Sequence, residues 1–168
     1  MNPERFRLLA AVIAAHPGRQ VIGRTRLQKT IKLLQRIGLP TDYDYMLHFY
    51  GPYSDGLQAE IGLLEHLGLV EEKSCLSADD RPYYVIKSKP EAALKEVEEK
   101  FGDAIKLMAQ ADPVVLELAA TYDAFREAGM THEQALANIR RKKGAKCENK
   151  NEEKALELLE KLLPKKAA

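Results

Sequence analysis

Residues 50–87 of this chain read YGPYSDGLQAEIGLLEHLGLVEEKSCLSADDRPYYVIK, and the fold turns on how that stretch is parsed. Gly51-Pro52 makes a turn, Gly through backbone freedom and Pro by fixing one dihedral, and Ser54 is placed to cap a helix. Leu57, Ile61 and Leu64 then recur at helical spacing to about His66, where Gly68 fits a terminating turn. Beyond it, residues 69–73 and 82–87 alternate enough to pair as a hairpin, with residues 74–81 as its polar tip. A helix followed by a two-stranded wing is the second half of a winged helix.

The first half lies upstream. Asn2-Pro3 is a helix start, followed by Phe6, Leu9 and Ile13 on one face, and His16-Pro17-Gly18 ends that helix. After a short link, Gly23-Arg24-Thr25 opens a second helix with Leu27, Ile31, Leu34 and Ile37 inward, stopped by Gly38 and Pro40. The aromatic residues 45–50 favour a strand, expected to join the edge of the wing sheet. Downstream, Ser88 with Glu91 and Thr131 with Gln134 fit capping boxes, and Asp112-Pro113 fits a cap and first turn. The helical stripes are Leu94, Val97, Phe101, Ile105 and Met108; Val115, Leu118, Tyr122 and Phe125; Ala135 and Ile139; and Leu156, Leu159 and Leu163. The chain therefore reads as mainly α with a small antiparallel β-wing. Residues 1–87 form a winged-helix-like module, and residues 88–168 a helical extension that packs on it or forms a dimer interface.

Composition agrees with a folded domain. The 168 residues are 45% hydrophobic and 30% charged, with no Trp, and a chain of this size buries about two-thirds of its unfolded surface. Cys75 and Cys147 lie far apart, without the spacing of a redox pair or metal knuckle, and reduced cytosolic thiols are expected. No basic patch with an apolar run opens the chain and no stretch approaches a membrane span, so a cytoplasmic protein is expected. The histidines at positions 16, 48, 66 and 132 show no ligand spacing. No phosphate loop or nucleophile elbow is present, and the carboxylates read as solvent-facing helix positions. Neither metal, cofactor nor catalytic role is expected.

The net charge of +1 is unevenly spread. Residues 1–50 carry a surplus of five positive charges, residues 51–100 a surplus of five negative ones. On the second helix Lys29, Lys32 and Arg36 fall within about 60° of one another, with Arg24 and Arg26 at its start. These five residues are the expected nucleic-acid contacts, through phosphate, and the leading expectation is a winged-helix regulator that binds nucleic acid weakly or non-specifically through them. The third helix argues against base reading, because it holds Asp55, Glu60 and Glu65 and no Lys or Arg, leaving Ser54, Gln58 and His66 as base-edge candidates. The competing expectation is protein binding through this acidic helix and the turn before it, with Tyr50, Tyr53, Ser54, Gln58 and Glu60 as contacts. A second basic cluster runs from Arg140 to Lys143 with Lys146. A homodimer built by the amphipathic C-terminal helices is expected in either case.

Residues 23–29, GRTRLQK, together with 50–54, YGPYS, and the leucine-rich third helix resemble the YwgA-like uncharacterised proteins of bacteria and archaea. The Leu-Gln-Lys and Tyr-Gly-Pro-Tyr-Ser features are also distantly similar to those of the Panacea antitoxins, including the SocA type. Residues 116–122, 131–139 and Lys142-Lys143 extend the resemblance to most of the chain. It implies a winged-helix-like core with a helical appendage, and a role in regulation or in antitoxin-style protein binding.

Overall fold

The computed structural model of the protein describes residues 2–163; the end of the expected extension, residues 164–168, lies outside the described residues. Helix α1 (Pro3–Ala15) begins where Asn2 Oδ1 accepts the amides of Glu4 and Arg5 at 3.1 and 3.3 Å. Such a cap satisfies amides that have no partner inside the helix. Strand β1 (Gln20–Ile22) follows in what had read as a link, since three residues are too few for alternation to register. Helix α2 (Arg24–Arg36), strands β2 (Met46–His48) and β3 (Gly51–Tyr53), helix α3 (Asp55–His66) and strands β4 (Val70–Leu76) and β5 (Pro82–Ser88) complete the module. The wing sheet is antiparallel in the order β1-β5-β4, with Val21 opposite Ile86 and Val70 opposite Ser88. The protein is mainly α with a small antiparallel β-wing.

Two local expectations are corrected. The strand before α3 does not join the wing sheet. Instead, β2 pairs with β3 as a separate hairpin, Met46 opposite Tyr53 and His48 opposite Gly51, and β1 takes the third place in the wing. The two-residue connection at Phe49 and Tyr50 makes the sequence neighbour the partner with the least loop entropy to lose. Ser88 does not open a capping box either. It is still paired in β5, and its hydroxyl donates to Ala10 O at 3.1 Å, fastening the strand to α1. Helix α4 (Lys95–Gln110) starts later, at Leu94, without a side-chain cap.

Helices α5 (Pro113–Glu127) and α6 (His132–Lys143) start as their caps direct, while α7 (Asn151–Leu162) starts after Lys150 without a side-chain cap. Asp112 Oδ1 accepts from Val114 N at 2.8 Å, and Thr131 and Gln134 exchange reciprocal bonds. Helix α5 is buried on all sides from Val115 to Thr121, which makes it a central post rather than an amphipathic surface helix. Around it pack α2, β3, α6 and α7. Helix α7 buries Ala155, Leu158, Leu159 and Leu162, a stripe used within the chain. One hydrophobic cluster, from Phe6 to Leu162, runs without a break across residue 88.

Candidate functional site

The basic face of α2 is a seam at Lys29 and Lys32, which are buried, and keeps Arg24 and Arg36 partly in solvent. Arg24 pairs with Glu72 on β4, its Nε at 2.8 Å, and its guanidinium lies 3.7 Å from the Tyr84 ring centre. Arg26 donates to the carbonyls of Met108 and Ala111 at 2.7 and 2.9 Å, closing the C-terminus of α4 where unpaired carbonyls collect. Lys29, 1% exposed, donates to Pro52 O at 2.7 Å. Lys32 pairs with Glu127 and lies 3.9 Å from Asp123. Arg36 Nε donates to Asp123 Oδ2 at 2.9 Å. The expected phosphate contacts are thus each engaged within the chain, Arg24 by β4, Arg26 by α4 and Lys29 by β3, and for Lys32 and Arg36 the physical reason is α5. It brings Glu117 and Asp123, 3% and 2% exposed, against the helix that bears the lysines.

The carboxylates had been read as solvent-facing, and for these two that is overturned. A signal for Glu117 was available in the sequence: its neighbours one turn away, Pro113, Val114, Ala120 and Thr121, carry no charge. An acid isolated in an apolar run points to burial with a partner.

The second set of expected residues divides. Ser54 caps α3, its Oγ accepting from Leu57 N at 3.2 Å, and it is buried. Glu60 is buried too, bound by Arg5 (Nε at 2.9 Å) and by the hydroxyl of Tyr43, so it is not open to a partner as expected. Burial and the bond to this carboxylate push the Tyr43 hydroxyl far above the ordinary phenol range. Tyr53 is half-buried against His48, with ring centres 5.0 Å apart, and Gln58 is half-exposed. Tyr50 alone of this set stands well out, 57% exposed.

What the structure does bring together is the pair of motifs. Gln28 donates through Nε2 to Ser54 O at 2.9 Å and accepts from Ser54 N at 2.8 Å, occupying both backbone groups at the end of the hairpin. Lys29 beside it takes Pro52 O. Leu-Gln-Lys and Tyr-Gly-Pro-Tyr-Ser are therefore two halves of one lock. Gly51 sits over it with φ +94°, and a Cβ there would fall 2.7 Å from Thr121 Oγ1 and 3.3 Å from Lys29 Cε. From the other side, Lys143 Nζ donates to Phe49 O at 2.8 Å, and Lys146 Nζ lies 2.9 Å from Glu117 and 4.9 Å from the Tyr50 ring centre.

The locked hairpin holds apolar side chains in solvent along β2 and at its tip, Phe49 and Tyr50. Met46 is 69% exposed, Leu47 47% and Phe49 82%, with Tyr50 packed edge-on to Phe49 at 5.1 Å. Sequence reading had singled out Tyr50 but not the other three, because an aromatic strand is expected to face a core. Exposed, contiguous large side chains on fixed backbone are the ordinary makings of a recognition surface.

A mainly α chain with a small antiparallel β-wing, built round a buried helical post and carrying an apolar hairpin fastened by Gln28 and Lys29, defines the class of protein. Over 53 residues the chain is 42% identical to a protein of Bacillus subtilis called "Uncharacterized protein YwgA", a match that covers 32% of each sequence. The match thus spans about a third of that relative's length. No family model matches the chain. Among the described residues, no group of three or more His, Cys, Asp or Glu is placed to hold a metal, and no helix is long and apolar enough to cross a membrane.

Proposed function

We propose that this chain is a non-catalytic protein-interaction module of the antitoxin or adaptor kind, which docks a partner on the exposed apolar side chains of β2 and the hairpin tip, Met46, Leu47, Phe49 and Tyr50. The exposed tip on its locked base is the observation that carries the reading. A preorganised backbone lowers the ordering cost of binding, and large apolar or aromatic anchors carry most of the energy at an interface. Lys142 is exposed and Lys146 part-exposed beside the tip, so the partner presents an acidic segment with apolar side chains. Binding of nucleic acid through α2 has no comparable support, since its five cations are engaged by Glu72, by α4 carbonyls, by Pro52 O and by the acids of α5.

The test is affinity capture from native-host lysate with wild type, the tip variant Met46→Asp/Phe49→Asp and the α3 variant Asp55→Lys/Glu65→Lys. The substituted side chains are exposed, so thermal unfolding should stay within about 0.5 kcal/mol of wild type. A single stoichiometric protein, retained by the α3 variant and reduced roughly tenfold or more by the tip variant, is the expected result. Equal capture by wild type and tip variant, or loss confined to the α3 variant, defeats the proposal.

A further inference from the structure

The cluster beneath the hairpin holds more positive charge than its carboxylate balances. Glu117 is met by Lys146 at 2.9 Å and by Lys143 at 3.5 Å, while Lys29 reaches the same pocket of structure from below Gly51. Three ammonium groups against one carboxylate leave two positive charges, in a place where Lys29 is 1% exposed and the Lys143 side chain 5%. Surplus charge of one sign, held away from water, is costly unless something neutralises it. Burial, and then the neighbouring ammonium groups, lower Lys29 to about 8, and the same causes hold Lys143 below its ordinary value.

Beside this cluster, with Lys143 shared between the two, opens a cavity of about 370 Å3. His48, Thr121, Lys142 and Lys143 supply its polar lining, and Leu47 and Phe49 an apolar wall. We propose that this cavity binds the phosphate group of a small molecule. A phosphate dianion answers this positive surplus more fully than a carboxylate, and its several acceptor oxygens suit a lining that offers the ammonium groups of Lys142 and Lys143 and the His48 imidazole. The wall of Leu47 and Phe49 is placed to hold an organic body attached to it. Met46 lies outside this lining, so the docking proposal and the phosphate proposal fail separately: Met46→Asp alone probes the first and leaves the second untouched.

The experiment is an amide chemical-shift titration of the full chain with inorganic phosphate, at ionic strength held constant with chloride, repeated with phenyl phosphate and with the Lys142→Ala variant. Lys142 is exposed, so its removal leaves the fold standing. Saturable shifts centred on Gly51, Thr121, Lys142 and Lys143, weakened about tenfold in Lys142→Ala, support the site. Tighter binding of phenyl phosphate assigns an organic phosphate as ligand, and equal binding assigns free phosphate. Shifts that do not saturate, that spread to surface residues such as Lys73, Lys87 and Lys106, or that persist unchanged in Lys142→Ala overturn it.

Discussion

Gln28 is a buried amide whose two ends are both used on one residue, Ser54. Removing such a group leaves a donor and an acceptor without partners in a place water does not reach, and the loss exceeds the modest net worth of the bonds themselves. Gln28→Ala should therefore lower stability by about 2–4 kcal/mol, read as a fall in the urea midpoint. Gln28→Glu, which keeps the acceptor for Ser54 N but not the donor to Ser54 O, should fall almost as far. A change below about 0.5 kcal/mol in both variants would refute the lock. Sequence alone made these motifs visible as unusual strings, yet gave no reason for them to occur together. That reason is a pairing between residues 26 apart in the chain.

The pairing of α2 with α5 decides the chemistry of both helices. Asp123, 2% exposed, answers Lys32 and Arg36 together, and burial raises its carboxyl above the ordinary range while the two cations pull it back. Breaking a buried pair from one side is far more harmful than never having made it, because the stranded charge stays behind. Asp123→Ala should cost about 3–5 kcal/mol, and adding Lys32→Met to it should recover part of the loss. A double-mutant cycle on thermal unfolding measures this, and strict additivity of the two changes would argue against the seam. The amphipathic stripe of α2 was legible, since Leu27, Ile31 and Leu34 are all buried. What escaped was that its other face is covered too, by carboxylates some ninety residues downstream that local periodicity does not reach.

Across the whole molecule the shifted groups define how stability follows pH. Burial lowers His16 below the ordinary imidazole range, with its Nε2 buried and unpartnered, so as pH falls the unfolded chain takes up a proton the folded chain refuses. Lys29 behaves alike between about 8 and its ordinary 10.5. In both windows the unfolded state binds more protons, so stability rises with pH. Tyr43 and Tyr45 act oppositely: burial holds their protons on in the folded state, and above the ordinary 10.0 the unfolded chain ionises first and stability falls. Urea midpoints taken between about pH 6 and 11 should climb through about pH 9 and turn down beyond about 10. Lys29→Met should flatten the climb above about pH 8. A wild-type midpoint that declines steadily from about pH 7 to 9 would contradict the burial of these groups.

The sequence by itself determined where α1, α3, α5 and α6 begin and what class the elements form. Asn2, Ser54, Asp112 and Thr131 cap helices as their side chains require, and the wing hairpin follows its alternation. Those signals are local, a hydroxyl, carboxylate or carboxamide oxygen within a few residues of the amide it satisfies, so the chain carries them wherever it folds. Tertiary structure decided which charges are surface. Lys29 is chemically identical to Lys142 in the sequence, yet one is sealed beneath Gly51 and the other stands beside an open cavity. Burial depends on which distant helix arrives opposite, and that is a property of packing rather than of any residue's neighbours in the chain.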